Sequence, residues 1–293
     1  MERWYLILPM LSAFFYAVAA MAQKQAIAAG YGPWRLTALS SWLVPLPFMF
    51  LILLEDEMRL PDPIWPPLIS GLLFMGGQLF TILAITRGDV SVSTPVLGTK
   101  VILVVLFLSW FTDKQMGAAI WLAAFLTCLG VVFIQVDTEI EKRGQIWFTI
   151  GASILAAACF AGGDVLVQQG SADQGFYRFM SVSAAGTFAA GFVLLPFLRK
   201  PLWDFPAGSG KFVWIGTLLL SLQAMGIAFA VGYFGDAAAS NIVYNSRGLW
   251  SIVLVWWVGH RFTSSEQEMG PRTLLMRLIG AALILSAIVL IFL

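Results

Sequence analysis

Lys100 and Arg247 are the residues of this chain best placed to do chemistry, because each lies near the centre of a long apolar stretch where a charge is out of place. Laying GDVSVSTPVLGTKVILVVLFLSW (Gly88 to Trp110) over GDAAASNIVYNSRGLWSIVLVWW (Gly235 to Trp257) brings Lys100 onto Arg247 without a gap. The same overlay pairs Gly88 with Gly235, Asp89 with Asp236, Ser93 with Ser240, Thr99 with Ser246 and Trp110 with Trp257. Identity is otherwise low, and it is the coincidence of rare polar letters that marks a repeat. A cation at a bilayer midplane costs about 2.5 to 3.5 kcal/mol on insertion scales, so a bundle seldom keeps two without a use for them. The chemistry this pair offers is capture of an anion.

The surroundings of Arg247 are polar for a membrane span. Ser240, Tyr244, Arg247 and Ser251 follow i, i+4, i+7, i+11 spacing and are expected on one helix face, with Asn241 and Asn245 on the adjoining stripe. Lipid does not tolerate such a face, so it must line a cavity or pack on protein. Beside Lys100 stand Ser93 and Thr94, and Pro95 removes a backbone donor a little over one turn earlier, which is expected to kink or break the helix. Gln78 and Gln223 are near-equivalent amides expected to complete the lining. Asp164, beside Gly162 and Gly163, is the one carboxylate well inside an apolar stretch. It is read toward the end of its helix, as a coupling candidate, as a charge partner for one of the two cations, or as an interfacial residue. Asp89 and Asp236 are read as N-caps, and Trp110 and Trp257 as interfacial anchors.

The elements that must position these groups follow from composition. A chain of 293 residues that is 59% hydrophobic and 11% charged, with mean hydropathy +0.85, has too little polar surface to cover a soluble globule. It reads as an all-α integral membrane protein. Ten stretches are long enough to cross: Trp4 to Gln23, Arg35 to Leu54, Ile64 to Ile85, Val90 to Phe111, Met116 to Val136, Gln145 to Gln168, Phe179 to Leu198, Phe212 to Phe234, Ala237 to Gly259 and Thr273 to Leu293. The largest loops (Glu55 to Pro63, Asp137 to Gly144, Arg199 to Lys211) read as simple polar hinges, too short for a soluble domain. The charged start, apolar run and small residues before Ala22 also suit a secretory signal. However, Phe15 to Arg35 resembles Ala157 to Arg178, with Gln25 near Gln168 and Arg35 on Arg178, so the first helix is expected to be retained. Two five-helix units result, residues 1–140 and 144–293. An odd number of spans per unit inverts the second copy, and folds of this kind bind substrate near the midplane at the repeat interface.

Five-plus-five spans, a short turn between the third and fourth (Arg87 to Asp89; Gly235-Asp236) and a fourth span followed at once by a polar hinge and a fifth resemble the drug/metabolite transporter superfamily, specifically its ten-helix EamA-type members. In the branch that carries phosphorylated sugars, basic residues on the fourth and ninth helices hold the anion, and Lys100 and Arg247 look like those positions. That branch tends to place an adjacent Lys-Arg pair on the ninth helix, whereas here the neighbour is Ser246. The departure favours a single carboxylate over a doubly charged phosphate.

Other chemistries find no residues to carry them. There is no GxxxxGK[ST] loop, no His/Cys metal cluster, no buried Ser–His combination, and Gly232-Tyr233-Phe234-Gly235-Asp236 has the wrong spacing for an intramembrane aspartyl protease. His260 sits in a hinge, and Cys128 and Cys159 read as small packing residues. A net charge of +1 without a long basic run points to no nucleic-acid partner. No catalytic residue, metal or cofactor is expected. The expected partners are the bilayer, a small-molecule substrate and, as a further option, a second copy in a homodimer. The expected function is secondary transport, in a bacterial-type inner membrane, of a small polar metabolite bearing a carboxylate or phosphate. The alternatives are an exporter of amphipathic or cationic compounds, with Lys100 and Arg247 serving coupling or structure, and a membrane subunit without transport. Apart from Lys100 and Arg247, eleven Lys and Arg lie on the side of the odd-numbered loops and four on the other. By charge, both termini are then outside the cytoplasm, whereas EamA-type relatives usually hold both inside.

Overall fold

A computed structural model describes residues 3–57, 59–87, 90–112, 115–135, 146–258 and 271–292. Runs of apolar residues that satisfy every backbone group internally can only be helices in lipid, and the described residues are helical almost throughout. Eight helical segments among them are long and apolar enough to cross a membrane, and a shorter apolar helix covers Ala118–Ile134.

The order is α1 (Ile7–Ala28), α2 (Pro33–Leu43), the short α3 (Leu46–Met49) running into a 3₁₀ turn, α4 (Trp65–Arg87), α5 (Val90–Gly98), α6 (Lys100–Phe111) and α7 (Ala118–Gln135). There follow α8 (Ile146–Gln174), α9 (Phe176–Ala190) ending in a 3₁₀ segment, α10 (Ser209–Ala228) ending in a π turn, α11 (Ala237–Tyr244), α12 (Arg247–Val258) and α13 (Pro271–Phe292). At 29 residues α8 is about 43 Å long, well beyond a hydrocarbon core of about 30 Å. It therefore continues ten residues past Asp164, which lies in mid-helix and not near its end.

Three helix pairs pack most extensively: α1 on α10, α4 on α8, and α7 on α13. Each joins the first half of the chain to the second. Small residues allow the close approaches that membrane helices rely on for association. At the α7–α13 crossing, a Cβ on Gly130 would lie 2.8 Å from the Gly280 carbonyl oxygen, and one on Gly280 would lie 2.6 Å from that of Gly130. The two backbones touch there. The fifth and tenth stretches, the least polar of the chain, thus brace one another.

The halves are also tied through two pairs of contacts at their turns. At the start of α2, the Arg35 guanidinium donates to the carbonyls of Asp204 at 2.7 Å, Gly30 at 3.2 Å and Pro201 at 3.3 Å, and stacks on the Tyr31 ring. The Tyr31 hydroxyl donates to Leu202 O at 2.7 Å. Burial pushes this phenol above its ordinary pKa, with the Arg35 charge opposing, so it stays a donor at neutral pH. At the start of α9, Arg178 pairs with Glu55 at 3.0 Å, and Gln174 donates to Pro63 O at 3.0 Å. The loops read as simple hinges are therefore the acceptors of the other half's second helix.

Candidate functional site

The two cations open two helices that are interrupted at the same repeat position. The fourth stretch is divided into α5 and α6 at Thr99, and the ninth into α11 and α12 at Asn245-Ser246. Helix α5 runs through Pro95, so the kink expected from the proline is displaced by one turn. There the bonding tightens: Thr99 N donates to Val96 O at 3.1 Å and its hydroxyl to the same oxygen at 2.7 Å. In the second half Ser246 N donates to Val243 O at 3.0 Å and Gly248 N to Asn245 O at 3.3 Å, again with a spacing of three. The overlay that matched Thr99 with Ser246 and Lys100 with Arg247 thus matches two helix interruptions.

The first helix of each half supports the interrupted helix of the other. Helix α8 packs along α5 and α6, and α1 along α11 and α12. Lys100 Nζ lies 2.7 Å from Asp164 Oδ2 on α8 and 5.8 Å from the centre of the Phe160 ring. The same oxygen accepts from Asn241 Nδ2 at 2.7 Å. Asp164 is thereby both a partner for Lys100 and a link to α11. Arg247 faces α1 differently. Its guanidinium carbon lies 4.9 Å from the Tyr16 ring and 5.0 Å from the Tyr244 ring, whose mutual arrangement is edge-on. These are cation–π distances, within the roughly 6 Å at which the ring quadrupole attracts a cation. Among the described residues no carboxylate pairs with Arg247. The Tyr244 hydroxyl donates to Gln223 Oε1 on α10 at 2.5 Å.

A continuous chain of contacts therefore runs from Lys100 through Asp164 and Asn241 into α11, and from Tyr244 at the end of α11 to both Arg247 and Gln223. Residues Ala237 to Ser246 are all buried, so the polar stripe packs on protein. The single face drawn through Ser240, Tyr244, Arg247 and Ser251 does not persist, because the interruption at Asn245-Ser246 separates the first two from the last two. Ser251 donates back to Arg247 O at 2.9 Å and spends its hydroxyl on its own helix. Ser240 and Ser246 are buried with hydroxyls that find no partner among the described residues, and Asn245 is buried beside them. Gln78 accepts from the Ser41 hydroxyl on α2 at 3.0 Å.

Other expectations are met or fall elsewhere. Asp236 caps α11, accepting from Ala239 N at 3.0 Å, and also accepts from the Tyr5 hydroxyl at 2.6 Å. Asp89, His260 and the Trp257 side chain lie outside the described residues. Trp110 is exposed, as an anchor must be. Cys128 and Cys159 are free thiols, with Cys128 buried against Gly98 O. Sequence reasoning missed Tyr16 and Phe160, the aromatic neighbours of the two cations. A signal existed, since the overlay of Phe15–Arg35 on Ala157–Arg178 places Tyr16 within a residue or so of Phe160.

Comparison with known proteins agrees with this architecture. A solved crystal structure of a protein aligns with TM-score 0.75 at 18% identity, covering 99% of this chain and 97% of that one, which shows a shared fold. No curated protein matches. The family model of the EamA-like transporter family matches residues 3–136, the stretch that holds α1 to α7 and Lys100. That stretch is similar to the EamA-like transporter family, and the long apolar helices fit a multi-pass membrane protein.

Proposed function

We propose that the chain is a secondary transporter that moves a small polar metabolite, anionic or zwitterionic, by alternating access about a site between the interrupted helices, with Arg247 as the anchor for the ligand's anionic group. The observation that carries this reading is the unequal pairing of two matched cations. Lys100 is neutralised by Asp164, while Arg247 is held between two tyrosine rings with its charge uncompensated among the described residues. A half-buried guanidinium left without a counter-ion is costly, and an anionic ligand supplies one in bidentate geometry. Tyr244, Asn241, Asn245, Ser240 and Gln223 surround that position, Lys100 and Asp164 stand one contact away, and Gln78 and Ser251 are peripheral.

Residues 1–140 and 144–293 act as two inverted five-helix repeats. Support comes from the matched interruptions, from the reciprocal packing of α1 on α10 and α8 on α4, and from the self-paired crossing of α7 on α13. Rocking of one repeat on the other gives that symmetry a purpose. A bacterial inner membrane is the proposed location. A second reading, export of amphipathic cations, draws on the aromatic rings of Tyr16, Phe160 and Tyr244 and requires a cation to displace Lys100 from Asp164.

Thermal unfolding of the purified protein against anionic, zwitterionic and cationic metabolite sets tests the choice, because a ligand that binds only the native state raises its apparent stability. Anionic or zwitterionic compounds are expected to protect wild type and not Arg247→Gln. Protection confined to cations, and lost in Asp164→Asn, would establish the second reading.

A further inference from the structure

The carboxylate of Asp164 has a consequence for ligand charge that rests on the reading of Arg247 as an anion anchor. Two cations at matched positions would suit a dianion, one charge on each. Lys100 is not available for that purpose. Its ammonium lies 2.7 Å from Asp164 Oδ2, both side chains are largely buried, and Asn241 on α11 donates to the same oxygen. Within the described apolar spans no second carboxylate offsets Arg247. The group Lys100, Asp164 and Arg247 therefore presents one net positive charge to a ligand.

We propose that Asp164 is a built-in anion that occupies Lys100 and so sets the ligand's valence: the site takes compounds with a single carboxylate and rejects dicarboxylates and phosphate monoesters. A dianion bound at Arg247 would bring a second negative charge, without a partner, into a poorly solvated region that already holds the Asp164 carboxylate, and like charges repel more strongly there than in water. Asp164 thus acts as a positioning and specificity residue through Lys100. The cost of removing it is predictable: Lys100 is released, and the site becomes doubly positive.

The test uses probe pairs of equal backbone length that differ by one charge, the near-isosteric glutamine with glutamate and the four-carbon butanoate with butanedioate, at constant ionic strength, read as the rise in unfolding temperature of the purified full-length protein. In wild type the singly charged carboxylate of each pair is expected to protect more than its dicarboxylate partner, and Arg247→Gln is expected to be protected by neither. Asp164→Asn should gain at least about tenfold in apparent affinity for the dicarboxylates. Should that variant fail to fold, the charge-neutral double variant Lys100→Gln/Asp164→Asn keeps the net charge of the site and should retain the wild-type order of preference. Arg247-dependent protection of wild type by the dicarboxylates in preference to their partners would overturn the valence proposal and leave the anion reading standing. If protection by every probe is the same with and without Arg247, the anion reading falls and the valence proposal with it.

Discussion

Helices α1 and α8 occupy equivalent places, each opening its half of the chain and each lying along the interrupted helix of the other half, yet they treat the cation they meet in opposite ways. Helix α8 offers a carboxylate and an aromatic ring, Asp164 and Phe160, to Lys100. Helix α1, ILPMLSAFFYAVAAMAQKQAIA, contains no acid, and offers Tyr16 to Arg247. The backbone symmetry is kept while the charge symmetry is broken. A site built this way suits an asymmetric ligand, charged at one end, as the proposed transport of a singly charged carboxylate requires.

The largest effect expected from breaking this asymmetry is at Arg247. Arg247→Gln should reduce ligand affinity by more than about tenfold, since a charge-assisted bidentate contact is worth more than the 1.4 kcal/mol a decade requires. Arg247→Lys should recover only part of it, because the planar fork and its stacking on Tyr16 and Tyr244 are lost. Titration calorimetry or thermal shift on the purified variants measures both.

Next comes the pair on the other side. Removing one partner of a buried ion pair leaves an uncompensated charge, at a cost on the order of 3 kcal/mol, whereas replacing both is often close to neutral. Asp164→Asn and Lys100→Gln should each lower the unfolding temperature clearly, and the double variant should lie nearer wild type than their sum. A double-mutant cycle in thermal or denaturant unfolding gives this coupling directly.

At the α7–α13 crossing, Gly280→Leu should cost about 1 to 3 kcal/mol, because the first carbon added already falls 2.6 Å from a backbone oxygen that has no rotamer with which to move. The two turn contacts should differ in the same ranking. Arg35→Gln removes a buried guanidinium that donates to three carbonyls, while Arg178→Gln removes one partner of a more exposed pair with Glu55. About 2 kcal/mol is expected for the first and below about 1 kcal/mol for the second. Ser251→Ala should be the smallest change, within about 0.5 kcal/mol and without effect on ligand protection, because that hydroxyl bonds only to its own helix.

Much of this could be read from the amino-acid sequence because membrane physics leaves few options. Apolar runs gave most helix bounds to within about six residues, and the overlay of Gly88–Trp110 on Gly235–Trp257 matched two positions that prove to be helix interruptions, although only a kink at Pro95 was expected from the residues themselves. What could not be read depended on tertiary contact. Nothing local to Asp164 says that it faces Lys100, since helix α8 is small and apolar around it and its length was underestimated by six residues at the C-terminal end. A helical wheel drawn through Ser251 failed for a related reason: it assumed one unbroken helix, whereas the chain tightens at Asn245-Ser246 and turns the second segment onto a new face. The hinges around Glu55 and Asp204 looked featureless because their function is to accept, through side chain and backbone carbonyls, what arginines from distant helices donate.

The unequal standing of the two cations is tested most directly by comparing Arg247→Gln with Lys100→Gln/Asp164→Asn, two variants that each remove one of the matched cations, in uptake by reconstituted vesicles of whichever carboxylate best stabilises wild type. With Lys100 neutralised internally and Arg247 left for the ligand, the double variant should keep uptake within about tenfold of wild type, while Arg247→Gln, folded and inserted, should lose more than that. Uptake that survives in Arg247→Gln and disappears in the double variant would contradict the assignment and move the anion anchor to Lys100.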